Sequence, residues 1–246
     1  TIQNYMKYEA DINGEIITTA WGSSRPKNDV NGNYVLGADI DASDTRNWNG
    51  GKGFFSLGGT NMNVFSGRFD GLGHTISNLY INRPNESFVG FLGLNDPSGN
   101  GWSWRAMQPL DNPQIANLRL INVDITGGNT VGAISGEFRD AVVMNVYATG
   151  KVTGNSSRIG GLVGNHKSAV LINSYADVAV KGESETGGLV GSFEGVAKVI
   201  NCYSQGVVTQ NIQYPWGTID AENKNIGGLV GRTNNLSIVE YSYYNT

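Results

Sequence analysis

The chain repeats itself, and this self-similarity constrains its fold more than any other feature. Four segments share one glycine-rich pattern: VGAISG (131–136), IGGLVG (159–164), TGGLVG (186–191) and IGGLVG (226–231). A weaker copy, VGFLG, occupies 89–93. An asparagine column accompanies the glycines, with steps of 28 residues, at Asn117, Asn145, Asn173 and Asn201. A fixed period of this length is typical of solenoid proteins.

A second column runs in step with the asparagines. Two positions after each Asn stand Arg119, Tyr147, Tyr175 and Tyr203, and Tyr243 continues the series. Asn78 and Tyr80 show the same spacing, so they are predicted to form one earlier and longer repeat. Agreement between two separate motifs indicates that the repeat is real.

Each unit has three short strand-like pieces separated by Gly, Asn or Ser, and no stretch with helical period and caps. One unit cannot bury its apolar face alone, whereas units stacked about 4.8 Å apart bury a continuous core. The sequence therefore predicts an all-β fold, a parallel β-helix with about 28 residues per coil. Parallel crossovers are nearly always right-handed, which predicts a right-handed coil.

Side-chain alternation with period two predicts which columns face the interior. Met144, Ile172 and Ile200 are expected to form one interior column, and Val146, Ser174 and Cys202 a second. The tyrosines are expected on the outer face. The asparagines are predicted to form an amide ladder whose direction, inward or outward, the pattern leaves open. His166 aligns with Phe138 and Phe193, which predicts packing at a turn.

The amino-acid composition excludes several classes of protein. The 35 glycines do not follow a collagen period, and 39% hydrophobic residues are too many for a disordered chain. The net charge of −4 offers no broad basic surface for nucleic acid. No apolar run approaches the roughly 20 residues that span a bilayer, so no membrane insertion is expected. Cys202 is the only cysteine, so no intrachain disulfide can form.

Residues 1–63 do not show the repeat and are predicted to be an N-terminal cap with the first coil, because an exposed solenoid end needs covering. Residues 64–246 are predicted to be one continuous solenoid domain. The chain opens at Thr1 with no signal peptide. Two alternatives stay open: a mature exported protein, or a piece of a larger surface protein.

Two repeats carry insertions, which in solenoids become surface loops that often bind ligands. The insertion at 94–114 contains Trp102, Trp104 and Arg105, and the one at 210–225 contains Tyr214 and Trp216. These five residues are the ligand-binding candidates, because Trp and Tyr on a loop suit contacts with sugars or proteins. The alternative is that the aromatic rings cover exposed apolar flank.

Repeated GGLVG followed by Asn-x-Tyr resembles the GLUG-motif family of bacterial surface adhesins of the filamentous-haemagglutinin kind. The segments FSGRFDGLGHTISNLYI (65–81) and YVLGADID (34–41) are similar to elements that precede such repeats. The resemblance covers nearly the whole chain from about residue 34. It implies a β-solenoid and an extracellular setting. It supplies no ligand, because the motif residues belong to the scaffold.

The candidate residues for catalysis and metal binding are weak. His74 and His166 lack the His-Glu-x-x-His pattern, and the glycine segments lack a phosphate-loop ending. If the protein were an enzyme, a glycosidase or lyase would use carboxylates or an acid-base pair. The candidates for this chemistry are Asp70, His74, Asp220 and Glu222. Asp39, Asp41 and Asp44 are weak calcium candidates, although a capped turn explains them equally well. No other metal or cofactor is expected.

The sequence thus favours a secreted or cell-surface, non-catalytic adhesion module that contacts a glycan or a host protein. The alternative is a carbohydrate-active enzyme, either a polysaccharide lyase or a glycoside hydrolase, on a parallel β-helix.

Overall fold

A computed structural model describes residues 32–59, 64–97, 113–210 and 225–245. Within these ranges the chain is mostly β, with a 3-10 segment at Ser43–Gly51 whose backbone leaves helical geometry at Trp48, Asn49 and Gly50. The strands, in chain order, are β1 (Asn33–Val35), β2 (Ile40–Asp41), β3 (Arg68–Asp70), β4 (Thr75–Ser77), β5 (Tyr80–Arg83), β6 (Leu92–Asn95), β7 (Ile115–Ala116), β8 (Arg119–Gly127), β9 (Ser135–Arg139), β10 (Val142–Met144), β11 (Tyr147–Gly154), β12 (Ser157–Gly160), β13 (Val163–Lys167), β14 (Val170–Ile172), β15 (Tyr175–Gly182), β16 (Ser184–Gly187), β17 (Val190–Glu194), β18 (Lys198–Ile200), β19 (Tyr203–Gln205), β20 (Val208–Gln210), β21 (Ile226–Gly227), β22 (Val230–Arg232), β23 (Ile238–Glu240) and β24 (Tyr243–Asn245).

These strands form four parallel sheets. Sheet 1 has the order β1-β3-β7-β10-β14-β18-β23, and sheet 2 has β2-β4-β8-β11-β15-β19-β24, with β5 and β20 also paired to it. Sheet 3 has the order β12-β16-β21, and sheet 4 has β22-β17-β13-β9-β6. Strands that neighbour each other in a sheet come from successive passes of the chain. This is the arrangement of stacked coils that the repeat predicts.

The register follows the sequence period in the regular part of the stack. Tyr147 pairs with Tyr175, and Tyr175 pairs with Tyr203. Tyr203 in turn pairs with Tyr243 across the longer last repeat. Arg119 stands in the same column beside Tyr147, as predicted. The parallel pairing of equivalent residues is therefore confirmed.

The core is a continuous apolar interior that runs through the coils. Val143, Leu171 and Val199 form one fully buried column, in the registered strands of sheet 1. The column of Val146, Ser174 and Cys202 is buried as predicted. Burial raises the pKa of the Cys202 thiol to about 11, so the sulfur stays protonated and unreactive at neutral pH.

His166 is buried in the core between two phenylalanines, as its alignment predicts. Its ring centroid lies 6.4 Å from that of Phe138 and 5.9 Å from that of Phe193. Its Nε2 lies 3.2 Å from the backbone oxygen of Lys198. Because a carbonyl oxygen can only accept, the neutral ring carries its proton on Nε2.

The prediction that Met144, Ile172 and Ile200 lie inside is wrong, because all three are only half-buried. Strict alternation fails at the asparagine that follows each of them. Asn145 and Asn173 have φ of 54° and 48°, in the left-handed region. A residue in this conformation turns the chain through a corner and breaks the period of two. The interior column is therefore one residue earlier.

The placement of Asn78 and Tyr80 in the main columns is also wrong. Thr75, not Tyr80, pairs with Arg119, and Tyr80 pairs with Asp124. Asn78 instead stands beside Asn122, and both have positive φ. The earlier coil thus bends at a different point from the later ones. A spacing of two residues between Asn and Tyr occurs at both bends, so the sequence could not separate them.

The N-terminal strands join the stack directly. β1 pairs with β3, and β2 pairs with β4. The 3-10 helix at Ser43–Gly51 follows, and Trp48 packs against the core. Of the predicted cap, residues 32–59 thus include a first coil, while 1–31 and 60–63 lie outside the described residues.

Candidate functional site

The corner between sheet 1 and sheet 2 carries the asparagine column. Asn117, Asn145, Asn173 and Asn201 all have φ between 48° and 54°. Asparagine tolerates this left-handed conformation better than other residues with a Cβ. The corner points the last three of these side chains into solvent. The amide column therefore faces outward, which settles the direction that the sequence left open.

Hydrogen bonds join the amides in pairs along the stack. Asn145 donates from Nδ2 to Asn117 Oδ1 at 3.0 Å, and Asn201 donates to Asn173 Oδ1 at 2.7 Å. Asn117 in turn donates to Asp70 Oδ1 at 3.0 Å. In each of these bonds the later coil donates to the earlier one. An aspartate is suited to the first position, because a carboxylate accepts without needing to donate.

A second, shorter ladder has the same construction. Asn122 donates from Nδ2 to Asn78 Oδ1 at 2.8 Å, and Asn78 donates to Asp41 Oδ1 at 2.9 Å. The bond from Asn78 and one from the backbone of Ser43 hold the pKa of Asp41 below its usual value. Sequence analysis missed this ladder. No regular spacing marks it, because its members are separated by 37 and 44 residues.

The tyrosines beside the main ladder stack face to face on the outer surface of sheet 2. Ring centroids lie 3.9 Å apart for Tyr147 and Tyr175, 4.6 Å for Tyr175 and Tyr203, and 5.4 Å for Tyr203 and Tyr243. Burial, followed by the neighbouring tyrosine hydroxyl, raises the pKa of Tyr175. Burial likewise raises the pKa of Tyr203. The hydroxyls of Tyr175 and Tyr203 therefore stay neutral at physiological pH.

A shallow groove runs between the amides and the tyrosine rings. Its walls are Asn173 and Asn201 on one side and Tyr175, Tyr203 and Tyr243 on the other, with the buried Ser174 and Cys202 between them. We call it the Asn–Tyr groove. It combines amide donors and acceptors, phenol hydroxyls and ring edges, all of them uncharged. Such a surface suits a neutral, hydroxyl-rich ligand rather than an ion.

Asp70 and His74, two of the catalytic candidates, hydrogen-bond to different partners. Asp70 Oδ1 accepts from the backbone of Leu72 at 2.8 Å and from Asn117 Nδ2. His74 Nδ1 instead lies 3.1 Å from Asp39 Oδ1. Asp70 thus forms the turn bond that an Asp-Gly turn favours, and it also starts the ladder. These hydrogen bonds explain the presence of Asp70 and His74 without a catalytic role.

The calcium candidates are engaged in turns. Asp39 Oδ1 accepts from the backbone of Thr75 at 2.9 Å, and this bond, with that to His74, lowers its pKa. Asp41 Oδ1 also accepts from the backbone of Ser43, and Asp44 lies in the first turn of the 3-10 helix. In the described part of the chain, no group of three or more His, Cys, Asp or Glu side chains could hold a metal ion. Calcium binding at these residues stays a prediction.

The remaining candidates lie outside the described residues. These are the loop residues predicted to bind ligand and the second pair of acidic candidates: Trp102, Trp104, Arg105, Tyr214, Trp216, Asp220 and Glu222.

Sheet 4 holds a buried carboxylate that sequence analysis did not single out. Glu137 is buried and forms an ion pair with Arg139. Its other oxygen accepts from Asn165 Nδ2 at 3.0 Å, one coil further along. A buried charge needs such partners, so this Glu is accounted for by structure.

Asn173 has a positive φ and accepts a hydrogen bond from Asn201, so substitutions at this position test how each feature stabilises the corner. We expect Asn173→Ala to lower the free energy of unfolding by about 2 kcal/mol, because alanine resists positive φ and accepts no amide bond. Asn173→Gly is the matched control, since glycine keeps the conformation and loses only the amide. In urea unfolding, the free energy lost by Asn173→Gly should be about 1 kcal/mol smaller than that lost by Asn173→Ala. Equal losses in the two variants would contradict the role of backbone conformation.

Fold and groove together define the class of protein: a parallel β-solenoid with an amide and tyrosine surface along its axis. No family model matches the chain. In the described residues no helix has the length and apolar character needed to cross a membrane.

Two comparisons show similarity to known proteins. The chain is 39% identical over 130 residues to halomucin of Haloquadratum walsbyi (strain DSM 16790 / HBSQ001), a match that covers 51% of this chain and 1% of halomucin. Among solved structures it is similar to a candidate immunoglobulin A1 protease from Bacteroides ovatus, with a TM-score of 0.57 and 20% identity. That alignment covers 85% of this chain and 59% of the other. At this identity the likeness concerns the fold alone.

Proposed function

We propose that this chain is a non-catalytic surface-binding module of a secreted or cell-surface protein, and that it contacts neutral glycans along the Asn–Tyr groove. The observation that carries the proposal is the outward amide ladder beside the stacked tyrosines. Sugars offer hydroxyls that can hydrogen-bond to amides and to phenol hydroxyls, and both groups line this groove. The 39% identity to a segment of halomucin supports an extracellular setting.

The finer description of the scaffold belongs to the same proposal. We infer a right-handed solenoid of about 28 residues per coil that belongs with the GLUG-motif repeats. Ladder bonds between residues 28 apart support the coil length. The handedness is supported by the general preference of parallel crossovers. The tryptophan loops are a second proposed contact region on the same module.

Binding to immobilised neutral polysaccharides tests the groove. The double variant Tyr175→Ala/Tyr203→Ala should bind at least about tenfold more weakly than the unchanged protein, a difference of about 1.4 kcal/mol. Thr153→Ala/Lys181→Ala is the control, because these side chains occupy paired positions in β11 and β15 of the same sheet, away from the groove. Circular dichroism should show that both variants keep the β fold.

Three outcomes of this binding experiment would point to a different site or a different function. Unchanged glycan binding by the tyrosine variant, with loss on Trp102→Ala, Trp104→Ala or Trp216→Ala, would move the site to the loops. Absence of binding to any glycan or surface protein would contradict the proposed function. Release of reducing or unsaturated ends from the polysaccharides would favour the carbohydrate-active enzyme instead.

A further inference from the structure

A third row of polar side chains runs along the outer face of sheet 2, two residues beyond the tyrosines. Its members pair in register from coil to coil, as the tyrosines do: Thr149, Asp177, Gln205 and Asn245. In the first three of these coils the residue between the two rows is buried, so the third row and the tyrosines lie on the same side of the strands. We call it the outer polar row. The tyrosines thus stand between the asparagines and this row.

The three rows repeat together along the solenoid axis. One coil presents Asn173, Tyr175 and Asp177, and the next presents Asn201, Tyr203 and Gln205. Adjacent coils of a parallel stack lie about 4.8 Å apart. Successive tyrosine ring centroids are 3.9, 4.6 and 5.4 Å apart. A ligand that makes the same contacts with every coil must therefore repeat its own structure at nearly this interval and run parallel to the axis.

The tyrosine column sets how many repeats of a ligand the surface can meet. Arg119 occupies the tyrosine position in the coil before Tyr147. The tyrosines therefore cover four coils of the described residues, from Tyr147 to Tyr243. In the last of these coils Tyr241 stands at the asparagine position. At one repeat per coil, the surface can contact four repeats of a linear ligand.

Each row can hydrogen-bond to hydroxyl groups. An asparagine amide has two N–H groups, and Asn201 uses one of them for Asn173, which leaves the other for a ligand. Phenol hydroxyls both donate and accept, as does the amide of Gln205. The carboxylate of Asp177 accepts hydrogen bonds from hydroxyls and repels anionic ligands. A chain with neutral hydroxyls on every repeat matches these groups, whereas an acidic polysaccharide does not.

We propose that the ligand is a linear, neutral polysaccharide in an extended, cellulose-type conformation, which lies parallel to the solenoid axis with one sugar ring per coil. This inference rests on the proposed glycan binding and adds the shape and direction of the chain. Rings of a cellulose-type chain advance in a line by about one strand spacing. An amylose-type chain curls into a helix and leaves the line of coils. The outer polar row forms the wall of the site opposite the amides.

Two series of glucose oligosaccharides test the match between ring and coil, with affinities measured by isothermal titration calorimetry. From cellobiose to cellotetraose we expect affinity to rise at least about threefold with each ring, because each ring contacts one more coil after the first has been immobilised. From cellotetraose to cellohexaose the affinity should stay nearly constant. Malto-oligosaccharides of the same lengths are the matched control, since they carry the same rings in a curled chain, and they should show no comparable gain.

Two variants locate the chain on the surface. Tyr147→Ala should bind cellotetraose about as weakly as the unchanged protein binds cellotriose, yet bind cellobiose normally, because two rings fit on the other coils. Normal cellobiose binding also shows that those coils keep their structure. Gln205→Ala should weaken cellotetraose binding at least about threefold through the lost hydrogen bonds. Lys181→Ala is its control, because this exposed residue lies further along β15 from the tyrosines, and it should bind as the unchanged protein does.

Several results would overturn the axial arrangement. Affinity that is the same at every length, or that rises equally in the two series, would do so and would leave the glycan-binding proposal standing. Equal weakening of cellobiose and cellotetraose by Tyr147→Ala would do the same. Absence of binding by both series would also overturn it, and binding to the immobilised polysaccharides would then decide the proposed function separately.

Discussion

Replacing Gly160 by alanine is expected to lower the free energy of unfolding by about 3 kcal/mol, although the change adds a single methyl group. An added Cβ would lie well inside van der Waals contact with the Val163 carbonyl oxygen. It would also lie 2.7 Å from the Gly191 nitrogen and 2.9 Å from the Leu189 oxygen. All three atoms belong to the backbone, and two of them to the next coil. No side chain can move aside to relieve the contact, so the coils themselves must separate.

Gly37→Ala is the matched control for this prediction. Gly37 is exposed, and a Cβ added there meets no atom within 4 Å. Urea unfolding should show this variant within about 0.5 kcal/mol of the unchanged protein. The strands that flank the Gly160 contact should also lose hydrogen-exchange protection in Gly160→Ala and keep it in Gly37→Ala. A Gly160→Ala protein as stable as the control would show that the coils are less closely stacked than described.

Acid is expected to destabilise the protein through His166 by roughly 3 kcal/mol between pH 6.5 and pH 4. Burial lowers the pKa of this imidazole to about 4, against the opposing effect of the backbone carbonyl of Lys198. In the unfolded chain the ring has its ordinary pKa of about 6.5. Between these values the unfolded chain binds a proton that the folded protein does not. Stability therefore falls as the pH drops through this window and levels off below it.

His166→Phe isolates this contribution. Phenylalanine matches the neighbouring residues of the column, Phe138 and Phe193, and has no group that titrates. Stability of both proteins should be measured by urea unfolding at several pH values from 7 to 4. The carboxyl groups titrate in both, so their effect cancels in the difference. We expect the unchanged protein to lose stability relative to the variant as the pH falls. Parallel plots of unfolding free energy against pH for the two proteins would refute this prediction.

Much of the stack could be predicted from residue spacing. The equal steps between Asn145, Asn173 and Asn201, matched by Tyr147, Tyr175 and Tyr203, require equivalent residues to lie over one another. The alignment of His166 with Phe138 and Phe193 follows from the same period and is confirmed. Spacing is sufficient here because parallel strands of adjacent coils pair residue against residue.

The site could be predicted only in part. Tyrosines on the outer face were expected, but the groove they share with the asparagines was not. The groove exists because each asparagine turns a corner, which places its amide beside the ring two residues later. Neither Asp41 nor Asp70 could be recognised as the start of a ladder, since the coil before each ladder has an irregular length.

By itself the sequence determined the repeat, the parallel stacking and the register of the regular coils, because a constant period leaves only one alignment that superposes both motifs. The tertiary structure decided which side chains face the interior and where the first coils bend. The physical reason is that a residue with positive φ turns the chain, and this interrupts the alternation of inward-facing and outward-facing side chains at that point. Met144 and Val146 are two residues apart, yet one is half-buried and the other is fully buried.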